Sequence, residues 1–197
     1  MKNAPLVYGN MEVKKECIEG CLKGEHNAQR ELYDLLLPYL NALCGRYLKD
    51  TSHRQDILQE TFILIFSRID QYDDQKGEFH SWASRITINL SLKHNRSSKA
   101  EFYTQIESET TQPEVSPEAI DQLSNEELTR FLRTMPPKYY EVFNLFIIDG
   151  FTHEEIAGML QIKVSLSRKR LARARAWLQE KPKSLNAILG DYRFSIS

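Results

Sequence analysis

The sequence predicts an all-α protein made of two small helical domains joined by a flexible acidic linker, the second a four-helix unit containing a helix-turn-helix. Three observations carry this. Apolar residues recur at three- and four-residue steps on both sides of the chain's middle. The middle itself changes character: residues 101–121 hold Glu101, Glu107, Glu109, Glu114, Glu118 and Asp121, two prolines and no Lys or Arg. Near the C-terminal end, a capped short helix, a tight connection and a second helix follow one another. Hydrophobic residues make up 41% and charged residues 27%, the profile of a folded, soluble protein. The formal net charge is −1, so any nucleic-acid role must rest on where the charges sit. The expected division is 11–98 for the first domain, 99–122 for the linker, 123–182 for the second domain and 183–197 for a tail.

In the first domain the run from about Val13 to Leu48 is helical in pattern. Leu32, Leu35, Leu36, Tyr39, Leu40, Leu43 and Tyr47 share one face. Pro38 lies inside this run and predicts a kink or break. A second helix, capped by Thr51 or Ser52, carries the stripe Leu58, Phe62, Ile65, Phe66 and Ile69, with Asp56, Gln59 and Glu60 outside it. The polar stretch from Tyr72 to Gly77 is a turn. A third helix follows, with Phe79, Trp82, Ala83, Ile86 and Leu90 spaced as one buried face and a basic end at Lys93-His94-Asn95-Arg96.

Beyond the linker, Ser124-Asn125-Glu126-Glu127 reads as a capping box. That helix runs to about Thr134, where Pro136-Pro137 ends it. Pro137 is placed to start the next helix, whose body is Tyr140, Phe143, Leu145, Phe146 and Ile147. Asp149-Gly150 is a C-terminal stop. Thr152 and Glu155 form another capping box, on a short helix with Ile156, Met159 and Leu160 on one side. Gln161-Ile162-Lys163 connects it to a helix from Val164 to about Trp177, with Ser167, Leu171, Ala174 and Leu178 facing inward. Its outward face carries Arg168, Lys169, Arg170, Arg173 and Arg175. A helix of this kind fits the B-DNA major groove, where arginine forks pair with guanine acceptors or with phosphates. A basic face on a purely structural helix is the plainer alternative; the capped helix and short turn before it favour DNA.

These residues resemble region 4 of the extracytoplasmic-function (ECF) sigma factors of the sigma-70 family. The matching segments are Met135-Pro136-Pro137, Val142-Phe143, Gly150-Phe151-Thr152-His153-Glu154-Glu155-Ile156-Ala157 and Leu171-Ala172-Arg173-Ala174-Arg175-Ala176-Trp177-Leu178. The first domain is similar to region 2 through Asp56-Ile57-Leu58-Gln59-Glu60-Thr61-Phe62 and Gly77-Glu78-Phe79-His80-Ser81-Trp82 through Asn89. The two similarities come in the family's order. The chain departs from the pattern where the family often has glycine in the turn and a Gly-Thr pair entering the recognition helix: here stand Gln161 and Ser165-Leu166.

The resemblance implies an RNA polymerase sigma factor that directs core polymerase to promoters. Asp56, Gln59 and Glu60 would dock on the β′ clamp of the polymerase core. His80, Ser84, Arg85, Asn89, Lys93 and Arg96 would contact the opened −10 element. Leu166, Arg168, Lys169, Arg170 and Arg173 would contact the −35 duplex, with Tyr139, Tyr140 and Phe143 available to the β flap. The linker would let both domains hold one promoter together. An anti-sigma factor is the implied regulatory partner.

Other chemistries are poorly supported by the residues. Cys17, Cys21 and His26 fall one ligand short of a closed zinc site. The acidic stretch after Asp70 breaks the calcium-loop pattern at Tyr72 and Ser81. His153-Glu154-Glu155 lacks the second histidine of a zinc protease helix. No catalytic activity, metal or cofactor is expected. Three cysteines and no export-type leader point to a reducing cytoplasm, and no segment is suited to membrane insertion. Two other readings compete. A dimeric helix-turn-helix regulator would bind duplex DNA without polymerase, and a helical adaptor would be indifferent to loss of the arginines.

Overall fold

The computed structural model describes residues 11–48, 52–102 and 131–180, with the backbone alone for 97–102. The described residues contain helices and no strand, and they fall into two compact units, one within residues 10–106 and the other within 107–197. Most of the linker, from 103 onward, and the tail from 183 lie outside the described residues.

The first unit comprises α1 (Lys15–Leu22), α2 (His26–Tyr47), α3 (Arg54–Ser67) and α4 (Phe79–Phe102). The helical run expected from Val13 to Leu48 is interrupted, but at Gly24 rather than at Pro38. Gly24 has φ 76, a conformation that glycine enters without a Cβ clash. At Gly20 the two helices meet so closely that a Cβ would lie 2.6 Å from the Cβ of Ala28. α2 passes through Pro38 as one helix. Pro38 is exposed there, so solvent can satisfy the carbonyl that its ring cannot bond. Leu32, Leu36, Leu40 and Leu43 are fully buried on α2, which packs against α1, α3 and α4.

α3 begins at His53 without a side-chain cap, so Ser52 does not serve as one; Thr51 is outside the described residues. Its buried stripe is Ile57, Leu58, Thr61, Phe62 and Ile65, extended by Ile69 in the 3-10 turn Ile69–Gln71, while Phe66 is half-buried. α4 runs to Phe102, past the expected linker start at 99. Its buried face differs from the expected one. Phe79, Ala83 and Leu90 are inside, but Trp82 and Ile86 are half-buried, and Thr87, Ile88, Ser91 and Leu92 complete the inner side.

In the second unit, residues 131–132 are helical, and the expected capping box at Ser124–Glu127 lies outside the described residues. α5 (Pro137–Phe143) opens with proline in its first turn and runs into a π-helical turn, Asn144–Ile148. That turn places Val142, Phe143, Asn144 and Leu145 inside consecutively, which a regular helical period would not do. Asp149 N–H donates to the Asn144 carbonyl at 2.9 Å, and Gly150 (φ 73) ends the element. α6 (His153–Leu160) and α7 (Val164–Gln179) follow. Phe131, Leu132, Met135, Phe143, Ala174 and Leu178 form the core, flanked by Tyr139, Tyr140, Ile147, Ile148 and Trp177.

Candidate nucleic-acid interface

α6 is fixed at its start by the expected capping box. The Thr152 hydroxyl accepts from Glu155 N–H at 3.2 Å, and the Glu155 carboxylate accepts from Thr152 N–H at 2.8 Å. The turn after it requires a left-handed residue, and Gln161 occupies that place at φ 54, ψ 47. Ile162 N–H then donates to the Ala157 carbonyl at 3.0 Å, closing the helix end. A side chain with a Cβ holds this conformation at some strain, which a glycine would avoid.

α7 buries Ser167, Leu171, Ala174 and Leu178, the inward set read from the sequence. This narrow strip of small and branched residues leaves Leu166, Arg168, Lys169 and Arg173 exposed, with Arg170 and Arg175 half-buried. Two of the arginines are held by side chains of other helices. Arg168 Nη2 is 3.3 Å from Glu154 Oε1 on α6. Arg173 Nη1 donates to the Tyr139 hydroxyl at 3.1 Å on α5. Both contacts are exposed and worth little as stability. What they supply is a preferred direction for two long side chains. His153, at the start of α6, bonds through Nδ1 to Ser167 Oγ at 2.9 Å and stacks on Phe146 with ring centroids 4.4 Å apart. Burial first, then the Arg168 cation, holds its pKa below the ordinary histidine value, which favours the neutral ring. His153 and Ser167 thus latch α6 to α7. Sequence reading missed Tyr139, Glu154 and His153 in these roles, because the contacts join residues on separate helices that no helical period relates.

The −10 candidates divide. Arg85, Asn89, Lys93 and Arg96 are exposed on α4. His80 and Ser84 are 7% and 8% exposed, so the expectation that they face nucleic acid is corrected. Ser84 donates to the His80 carbonyl at 2.7 Å and therefore accepts from the Tyr39 hydroxyl at 2.6 Å. His80 Nδ1 lies 3.2 Å from Glu78 Oε2. Ser84 spends its hydroxyl inside the unit, and the His80 ring is buried there. Before α4, the loop from Tyr72 to Glu78 is built on an internal frame. Asp73 accepts from Gln75 N–H at 3.0 Å and pairs with Lys76 at 3.1 Å. The Tyr72 hydroxyl donates to the Gly77 carbonyl at 3.0 Å. The Tyr72 ring sits 4.9 Å from Phe79 and 5.9 Å from Trp82, between centroids. Burial, followed by the Asp74 carboxylate, pushes the Tyr72 phenol above its ordinary pKa, so it stays a donor.

On α3, Asp56, Gln59 and Glu60 are all exposed. Their spacing puts them on one side of the helix, and Ile63, 59% exposed, continues that side. Of the aromatics suggested for a flap contact, Phe143 is buried in the core, while Tyr139 and Tyr140 are half-buried against it. Cys17, Cys21 and Cys44 are buried free thiols; burial pushes Cys21 up to about 12 and Cys44 up to about 11. Among the described residues no helix is long and apolar enough to cross a membrane.

A helix-turn-helix with an outward cationic second helix defines a DNA-binding protein, here carrying a separate helical unit before it. Comparison with known proteins gives the rest. The family model for Sigma-70 region 2 matches residues 32–101, and that for Sigma-70 region 4 matches residues 125–178. The chain is 29% identical over 189 residues to the ECF RNA polymerase sigma factor SigW of Bacillus subtilis, covering 89% of this chain and 99% of that one. It is 32% identical over 133 residues to the ECF sigma factor SigE of Mycolicibacterium smegmatis, covering 64% of this chain and 50% of that one. Among solved structures it shares the fold of the Bartonella quintana sigma factor RpoE in complex with the anti-sigma factor NepR. That likeness has a TM-score of 0.51 and 20% identity, over 77% of this chain and 94% of the other. The chain belongs to the sigma-70 family and is an RNA polymerase sigma factor of the ECF class.

Proposed function

We propose that the two units divide promoter recognition between them, with residues 11–98 serving core binding and the −10 element and residues 123–182 serving the −35 element. The observation that carries this reading is α7, whose buried strip leaves Arg168, Lys169 and Arg173 outward on the second helix of a helix-turn-helix. Arg168 and Arg173 exchange their weak exposed partners for guanine edges or phosphates, and Lys169 and Arg170 add sequence-blind attraction. On α4, Arg85, Asn89, Lys93 and Arg96 form the side offered to single-stranded −10 DNA. Asp56, Gln59 and Glu60 accept forked bonds from arginines of the polymerase β′ clamp, and exposed Ile63 adds apolar contact to the same side. Tyr139 and Tyr140 are the remaining candidates for the β flap.

The protein has no chemistry of its own in this reading; the polymerase forms the phosphodiester bonds, and the complex works in the cytoplasm. An anti-sigma factor regulates it, a role supported by the family and by the partner named for the Bartonella quintana relative. The test is retention of core polymerase on immobilised protein. Asp56→Lys combined with Glu60→Lys abolishes retention while helicity and the binding of duplex −35 DNA persist. Retention equal to that of the unaltered chain would overturn the assignment of α3.

A further inference from the structure

Among the described residues of the second unit, Leu166 is the large apolar side chain that remains exposed, at 39%. The core of that unit closes without it, through Leu171, Ala174 and Leu178 on the inward side of α7. Leu166 lies in the first turn of α7, and its position there is fixed. Its N–H donates to the Lys163 carbonyl at 2.9 Å, and Ser167 N–H reaches the same oxygen at 3.1 Å. Leu166, Lys169 and Arg173 follow at steps of three and four residues, so they form one strip on the outward side. Residues early in a recognition helix are the ones that reach base edges. A leucine there has neither donor nor acceptor to offer. In the major groove the apolar feature it can meet is the C5-methyl group of thymine.

We infer that Leu166 is a specificity-determining residue that packs on the methyl group of a thymine in the −35 duplex, beside bases or phosphates held by Lys169 and Arg173. This rests on the assignment of α7 to the −35 element. A hydroxyl side chain at this place would contact a phosphate or a polar base edge. Leucine instead makes one position of the promoter depend on a methyl group, and it disfavours a base presenting an unpaired amino group to the same apolar surface.

The experiment uses the full chain with core polymerase and a promoter selected from a pool randomised in its −35 element. Each −35 thymine, on either strand, is replaced singly by uracil, which keeps every hydrogen-bonding group and lacks the methyl. At one position uracil lowers specific initiation about fourfold, the worth of one methyl group withdrawn from water. With Leu166→Ala, thymine and uracil become equivalent there, while Arg173→Ala lowers initiation on both templates and keeps their ratio. Equal activity of all thymine and uracil templates with the unaltered chain overturns the inference while leaving the −35 assignment intact. So does discrimination that persists in Leu166→Ala. If the unaltered chain directs no specific start from any template, the sigma assignment falls and the inference falls with it.

Discussion

α4 and α7 each expose a side that carries basic residues, yet they are anchored by opposite means. α7 uses a narrow strip in which the single hydroxyl, Ser167, is partnered by His153 on another helix. α4 buries several polar side chains that largely partner their own backbone. Ser84 donates to the His80 carbonyl at 2.7 Å, Thr87 to Ala83 at 3.0 Å and Ser91 to Thr87 at 2.9 Å. Thr61 on α3 does the same toward Ile57 at 2.7 Å. A hydroxyl satisfied by the carbonyl four residues back is buried at small cost. Polarity along α4 therefore does not mark its outer side, whereas along α7 charge does.

The largest effect that would sharpen this contrast lies in the cores. Phe143→Ala empties the centre of the second unit and lowers its stability by about 3–5 kcal/mol. The unfolding of α1–α4, followed by residue-resolved hydrogen exchange, stays where it was. Simultaneous loss of protection in both units would show that they are not separate folding bodies. Next in size is the outward side of α7. Arg173→Ala weakens binding to −35 duplex by about 1–3 kcal/mol, read by fluorescence anisotropy at fixed salt. Unchanged affinity would remove Arg173 from the interface.

The inner side of α4 responds differently from its outer side. Ser84→Ala removes the acceptor of the Tyr39 hydroxyl and destabilises the first unit by about 1–2 kcal/mol in urea titration. It leaves the −10 preference of transcription unchanged. Asn89→Ala does the reverse, sparing stability and altering −10 use. If the two variants exchanged these phenotypes, the placement of α4 would be wrong. The smallest effect belongs to the turn. Gln161→Gly relieves the left-handed conformation and raises the stability of the second unit by about 0.5–1 kcal/mol, measured as a shift in Tm. A loss of stability would show that the Gln161 side chain supplies more than its backbone strain removes.

Much of the fold was legible from the residues. The capping box at Thr152, the proline start at Pro137, the stop at Gly150 and the inward set of α7 all follow from local chemistry, and the structure has each of them. What could not be read had three causes. The interruption at Gly24 was masked because apolar residues continue in phase on both sides of it. The π-helical turn at Asn144–Ile148 adds a residue to the period, so the inner positions shift from those a regular helix predicts. The buried face of α4 departs from the apolar spacing because it includes the hydroxyl residues Ser84, Thr87 and Ser91, which an apolar period does not single out. Among candidate site residues, the outward positions of α3 and α7 were accessible to periodicity alone. Tyr139, Glu154 and His153 were not, since their partners come from elsewhere in the fold.

Run-off transcription with purified core polymerase on genomic fragments bears most directly on the whole account. Core polymerase plus this chain is predicted to initiate at discrete sites that core alone ignores. Asp56→Lys with Glu60→Lys, or Arg168→Ala with Arg173→Ala, should each silence those starts. Unchanged start sites on adding the chain, together with tight binding to a palindromic duplex in the absence of polymerase, would contradict it.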